Sequence, residues 1–314
     1  MRAHILGSAA GGGFPQWNCA CPNCLLARAG DVSVRPRSQD SIAVTAAAGE
    51  RWLLVNASPD VARQLERFAP LHPRAPQAAA TPEGQGISRR HTPIAAIALT
   101  NGDLDHVLGL LSLREWQPLV ILATERVRAG LVERNAMMRT LARTSGQVTW
   151  RVLEPGRELL LEDVGVGVTA LPMPGKLPVH LVDLTEPSAE DNVALRIRDV
   201  STGRTIAIAT AVGALEGVDA LARGADALLF DGTFWSEDEL VSLGLGTARA
   251  RDMAHVPIGG ASGSLARLEP VRVARRVYTH INNTNPILRD GSPERMAVER
   301  AGWEVAFDGL EMSL

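Results

Sequence analysis

Short apolar runs of strand length, each broken by glycine, proline or a polar step, recur along the chain and outnumber the stretches with helical period. Residues 2 to 6 read as a first strand. Ser41 to Ala46 and Trp52 to Asn56 read as a hairpin about residues 47 to 50, and Ile94 to Leu99 is a continuous apolar run suited to a sheet covered on both faces. Leu119 to Ala123, Val148 to Leu153 and Val166 to Leu171 follow as strands, and Val193 to Ile197 with Thr205 to Thr210 predicts a second hairpin about Thr202-Gly203. Helices are expected from an Asp60 cap through Phe68, from a Thr124 cap to Ala142, and from Ala214 to Arg223. A closing βαβ portion spans Arg272 to Asp308. The segment 70 to 93, with five prolines and two glycines, favours no regular structure and is expected to be a mobile loop. His72 and His91, inside it, read as solvated.

Three of the apolar strands end in residues that bind metals. Ile94 to Leu99 runs into Thr100-Asn101-Gly102-Asp103-Leu104-Asp105-His106, Ala227 to Phe230 into Asp231, and Val273 to Tyr278 through Thr279 into His280. Strand tips hold side chains more rigidly than free loops do. Two carboxylates and two imidazoles, Asp105, His106, Asp231 and His280, therefore form a candidate centre for one divalent cation. For any one pair the alternative is an Asp helix cap beside a loop histidine, and three strand ends together count against it. Asp103 is a reserve ligand, a base, or a solvent-facing turn residue. Near the N-terminus, Cys19, Cys21 and Cys24 form a tight thiolate cluster, and a zinc ion held by three sulfurs needs a fourth ligand to close its tetrahedron. Gly11-Gly12-Gly13 permits close backbone approach, but neither dinucleotide nor P-loop spacing is met.

Charge removes some functions and keeps others. A net charge of −3 offers no basic face for nucleic acid. Of the 32 basic residues all but Lys176 are arginine, so lysine chemistry rests on that one residue or is absent. No uncharged run is long enough to span a bilayer, the first residues break into glycine before a signal core could form, and three closely spaced cysteines suit reduced thiols rather than a disulfide framework. The expectation is a soluble, cytoplasmic protein without membrane partners.

The strand-end motif resembles the His-x-His-x-Asp-His signature of the metallo-β-lactamase superfamily, with Asn101 and Asp103 where its leading histidines stand and Asn56 where an Asp is usual. Longer blocks, residues 7 to 24, 56 to 60, 109 to 115, 230 to 235, 279 to 288, 292 to 295 and 305 to 309, resemble a branch of that superfamily that acts in pyrroloquinoline quinone (PQQ) synthesis. The resemblance covers the whole chain and implies an α/β fold, a single four-layer αββα sandwich over residues 1–314. It further implies a degraded first metal site, a mononuclear centre at Asp105, His106, Asp231 and His280, and a glycine loop bordering the cleft. His255 matches the fourth ligand of a structural zinc with Cys19, Cys21 and Cys24; a proton donor at the catalytic centre is its alternative role. The loop 172 to 180 often faces the metal in this superfamily, so His180 is a candidate substrate contact, with a plain loop histidine as the alternative. The implied function is Fe(II)- and O2-dependent hydroxylation of the tyrosine ring of a peptide-derived Glu-Tyr intermediate, by a homodimer, with zinc or manganese able to occupy the site on purification. The alternatives are a hydrolase, with zinc-bound water attacking a peptide or phosphodiester, and a carrier of PQQ or its precursor.

Overall fold

The structure is a computed structural model and describes residues 1–74, 90–115 and 117–314. Two seven-stranded sheets form its centre. The first contains β1 (Arg2–Gly7), β2 (Ser41–Thr45), β3 (Trp52–Val55), β4 (Ile94–Ala98), β5 (Leu119–Ala123) and β6 (Val148–Val152). The second contains β7 (Glu158–Leu161), β8 (Val166–Pro172), β9 (Val193–Asp199), β10 (Thr205–Ala209), β11 (Ala227–Asp231), β12 (Arg275–Thr279) and β13 (Trp303–Val305). The last strand, β14 (Glu311–Ser313), returns to pair with β1. Each sheet is antiparallel on one side and parallel on the other, with β3 to β6 and β10 to β13 the parallel stretches.

Alternation along the strands divides the core into layers. Leu53 and Val55 of β3, Ala96 and Ala98 of β4, and Ala227 and Leu229 of β11 point between the sheets. Their neighbours Leu54 and Ile97 pack outward under helical segments that include Val61, Val107 and Leu131. On the opposite outer face, Leu228, Phe230 and Tyr278 pack with Val298 and Trp303. Strands buried on both faces read as unbroken apolar runs, and three stacked clusters make the four-layer αββα sandwich.

Several predicted boundaries move for identifiable reasons. The helix expected to run to Ala142 stops at Arg134 and resumes as a 3₁₀ turn at Met138–Ala142, while Thr124 caps its start by accepting the Val127 N–H at 3.2 Å. The Ala214 helix begins only at Val218, after Gly217 at φ 88°. Asp60 precedes the helix Val61–Arg67 but does not cap it through its side chain. Its carboxylate instead accepts from Gln39 N and Nε2 at 3.0 and 3.1 Å. Strands β7 and β14 lie at sheet edges and are short, and the hydrophobic pattern missed them. Of the loop expected at 70 to 93, residues 75–89 lie outside the described residues, and Ala69–Leu71 forms a 3₁₀ turn.

Candidate metal centre

The carboxyl ends of the parallel strands of both sheets meet at one place, where open α/β sheets bind ligands. β4 runs through Leu99 and Thr100 into a turn in which Asn101 Oδ1 accepts the Asp103 N–H at 3.0 Å, and a short helical turn, Leu104–Val107, then presents Asp105 and His106. β12 delivers His280 with φ 55°, and Asn56 and Ala211, just past β3 and β10, also hold positive φ at 59° and 58°. Non-glycine residues seldom adopt this region. Its recurrence at three strand tips marks a place where the fold holds strained backbone to aim side chains.

His106 is buried. Its Nδ1 lies 3.0 Å from Thr100 Oγ1. Asn56 Oδ1 accepts both the Thr100 N–H, at 3.0 Å, and the Thr100 hydroxyl, at 3.1 Å. With its own proton given to Asn56, the hydroxyl accepts from His106 Nδ1–H. We therefore assign the tautomer that leaves Nε2 with a lone pair. That Nε2 is buried and has no hydrogen-bond partner. The chain of support continues from Asn56 Nδ2 to Asp40 Oδ2 at 3.3 Å, while Asp40 Oδ1 accepts from Thr279 Oγ1 at 3.2 Å. Burial pushes Asp40 up to about 6.

The same device orients His280. Thr233 Oγ1 donates to Asp231 Oδ1 at 2.5 Å and sits 2.9 Å from His280 Nδ1, so Nδ1–H donates to the threonine and Nε2 turns inward. There it lies 3.4 Å from Asp105 Oδ2, which is 3.8 Å from His106 Nε2. The two rings stand at 82° with centroids 5.3 Å apart. One donor atom each from Asp105, His106 and His280 thus lies within 4.8 Å of the others.

The electrostatics ask for a cation between these atoms. Burial lowers His106, which stays neutral and keeps its lone pair. Burial alone would lower His280 too, but hydrogen bonds to Asp105 and Asp231 outweigh it and hold the imidazole up at about 10. The extra proton sits on Nε2, against Asp105, in the position of a metal. Asp105 is half-buried, and the neighbouring His106 and His280 hold it below the usual carboxylate range despite that burial. A buried unpartnered nitrogen, a second nitrogen that keeps a proton only because carboxylates surround it, and a carboxylate oxygen suit a divalent ion.

Asp231 stands beside His280 as expected, and His255 takes a different place from the one expected with the cysteines. A donor atom each from Asp231, His255 and His280 lies within 4.8 Å of the others, but both oxygens of Asp231 are engaged as hydrogen-bond acceptors. Oδ1 accepts from Thr233 N and Oγ1; Oδ2 accepts from Val212 N at 2.8 Å and from His255 Nδ1 at 2.7 Å. Asp231 thus orients His280 and His255, and the donor atoms fall into two overlapping groups that share His280, one with Asp105 and His106 and one with Asp231 and His255. His255 does not join the cysteines. It stacks on His280 with centroids 5.7 Å apart, and Ala254, at φ 59°, turns the chain to bring it there. The sulfurs of Cys19, Cys21 and Cys24 do converge within 4.8 Å, and the group facing all three is Asn283 Nδ2, at 3.1, 3.5 and 3.3 Å. Burial pushes the Cys21 thiol up to about 12.

A cavity of about 300 Å³ opens over the three ligands, and Asp103, Lys176, His255 and the glycine loop at Gly11 contribute to its wall. A Cβ on Gly11 would lie 3.3 Å from Asp105 Oδ2, so the loop backbone borders the site closely, as expected of it. Asn101 turns away, its amide nitrogen donating to Asn192 Oδ1 at 3.2 Å. His180 packs beside Gly102 and does not line the cavity. His72 bonds the Glu66 carbonyl at 3.0 Å, and His91 Nε2 accepts from Arg74 N at 2.8 Å. The orienting residues Thr100, Thr233 and Asp40 were not singled out from sequence, because a threonine at a strand end carries no signal of what its hydroxyl will meet.

Two sheets with a metal-binding set at the carboxyl ends of their strands define a metallo-β-lactamase-fold protein, and a beta-lactamase superfamily domain matches residues 51–281. Full-length similarity narrows this further. The chain is 46% identical over 317 residues to coenzyme PQQ synthesis protein B of Methylobacterium radiotolerans, with all of both chains covered. It is 42% identical to the Zn(2+)-bound PqqB from Methylobacterium extorquens, whose crystal structure superposes with a TM-score of 0.88 over 100% of each chain. A diphosphatase of the PhnP family, at 17% identity, TM-score 0.65, and 100% and 97% coverage, shares the fold. The chain belongs to the coenzyme PQQ synthesis protein B family.

Among the described residues no helix is long and apolar enough to cross a membrane.

Proposed function

We propose that this chain acts in PQQ synthesis as a mononuclear Fe(II)- and O2-dependent hydroxylase of the tyrosine ring in a peptide-derived Glu-Tyr intermediate. The observation that supports the reading is the convergence of two imidazoles and one carboxylate, His106, His280 and Asp105, within 4.8 Å of one another, a set like the facial one of non-haem iron oxygenases. Asp105, His106 and His280 would hold the ion, and when bound there iron supplies oxygen activation. In the net reaction a ring C–H becomes C–OH, an external reductant gives two electrons, and the second oxygen atom takes these with two protons from solvent and leaves as water.

The protein's part is positioning and proton handling. Thr100 and Thr233 fix both imidazole tautomers, which keeps the donor atoms converged without reorganisation. His255 lines the cavity with its Nδ1 held by Asp231, leaving Nε2 to take or return a proton at the substrate phenol. Asp103 is a second candidate, since burial raises it above the usual carboxylate range. A zinc hydrolase is the competing reading, and the buried His255–Asp231 pair, apt for protonating a leaving group, favours it.

Oxygen separates the two. The protein is loaded anaerobically with Fe(II), given the Glu-Tyr intermediate and then O2, and the products are weighed. The hydroxylase reading expects the ring to gain an oxygen atom and His106→Ala or His280→Ala to abolish the gain. Turnover with Zn(II) in the absence of O2 would overturn it.

A further inference from the structure

The only lysine of the chain, Lys176, lies in the wall of the metal cavity, and among the described residues no arginine lines that cavity although the other 31 of the 32 Lys and Arg residues are arginine. An ammonium stands here rather than a guanidinium, and the two groups differ physically. A guanidinium is a planar fork that clamps carboxylates in pairs, whereas an ammonium is a compact point charge with three rotatable donors. Beside Asp103 and Asp105, in about 300 Å³, an arginine fork would meet the site's own carboxylates. An ammonium keeps donors for an incoming group.

The surroundings are built to present it. Lys176 makes no ion pair with the described residues, and of the charges acting on Asp103 it is the largest. Its loop is held on both sides. Met173 N–H donates to Asn192 O at 3.0 Å, and Gly213 N–H donates to Pro174 O at 2.7 Å. A Cβ on Gly175 would lie 2.6 Å from Asn192 Cβ, and Pro178 packs on Gly102 of the ligand loop. The backbone beneath the side chain is thus set in advance while the ammonium is left to solvent, an arrangement that spends little ordering entropy on binding.

We propose that Lys176 anchors a carboxylate of the substrate at the mouth of the metal cavity. This rests on the reading that the site handles a PQQ precursor, since that intermediate and PQQ both carry several carboxylates. Lys176 is a binding residue that sets which end of the substrate enters first, and it has no part in holding the metal.

The test titrates PQQ into zinc-loaded wild-type protein, Lys176→Gln and Lys176→Arg, with metal content measured on the same samples. The expected result is PQQ binding weakened about tenfold to a hundredfold in Lys176→Gln, incomplete recovery in Lys176→Arg, and equal metal in all three. With one lysine in the chain, amine acetylation of the folded protein should reproduce the Gln variant, and bound PQQ should slow that acetylation. Unchanged PQQ affinity in Lys176→Gln overturns the anchor. A loss of metal parallel to the loss of PQQ also overturns it, because Lys176 would then serve the ligand loop. A wild type that fails to bind PQQ at all removes the reading beneath the proposal, an outcome distinct from the other two.

Discussion

Metal uptake by the metal-free protein should be driven by proton release from one imidazole. His280 is held at about 10 by Asp105 and Asp231, and its Nε2 must lose that proton before it can ligate. At pH 7 only about one molecule in a thousand has it free, so the apparent affinity should lie roughly three orders of magnitude below its alkaline limit. It should climb about tenfold per pH unit until it levels off near the pKa. His106, lowered by burial, and Asp105, held ionised, add no proton in that window. The same group sets a stability term of the metal-free protein. The raised pKa contributes stability that is fully present below the unfolded value of 6.5 and is lost as pH rises through about 10. Chelator-competition titrations of zinc at about pH 7, 8 and 9, with calorimetry in buffers of different ionisation heat, measure slope and proton count together. One proton released per ion and a slope near one are expected. Flat affinity across this range, with no proton released, would refute the electrostatic reading of the site.

Three further outcomes follow from residues around the centre. Thr100→Val keeps the shape but removes the acceptor of His106 Nδ1–H, and should weaken metal affinity about tenfold to a hundredfold by the same competition titration. Burial pushes Glu239 up to about 7, above an unfolded value of 4.5, so its stabilising contribution is present below pH 4.5 and is lost as pH rises to about 7. Urea denaturation across that range should show the wild type losing up to about 3 kcal/mol relative to Glu239→Gln, and equal slopes for the two proteins would contradict this. Thr124→Ala removes both the cap on Val127 N and the bond to the Glu190 carbonyl at 2.8 Å, and should cost about 1 to 2 kcal/mol in urea denaturation without changing metal content.

The sandwich was legible because its central strands are buried on both faces. An apolar run such as Ile94 to Ala98 cannot be mistaken for a half-exposed surface, and the polar residues just past it fall where a strand must end. Asp105, His106, Asp231 and His280, which the fold brings together, were read this way. What remained hidden depends on direction rather than on position. Asp231 stands at a strand tip like the others and also accepts from Val212, Thr233 and His255, and no pattern in residues 227 to 231 foretells those bonds. His255 follows a 3₁₀ turn and a positive-φ alanine, so neither strand nor helix period indicates where its ring goes. The amides after His280 divide in the same manner. Asn285 knits its own turn by accepting from Ile287 N, while Asn283 turns its amide to the three cysteine sulfurs.

Anomalous diffraction from crystals soaked with a single divalent metal would test directly whether one ion is held by three strand-tip donors. The expected map has one strong peak in the cavity, bonded to Asp105 Oδ2, His106 Nε2 and His280 Nε2, with Asp231 still bonded to His255. A pair of peaks, the second lying beside Asp103 and Asn101, or a single peak on Asp231 and His255 with His106 Nε2 left bare, would contradict it.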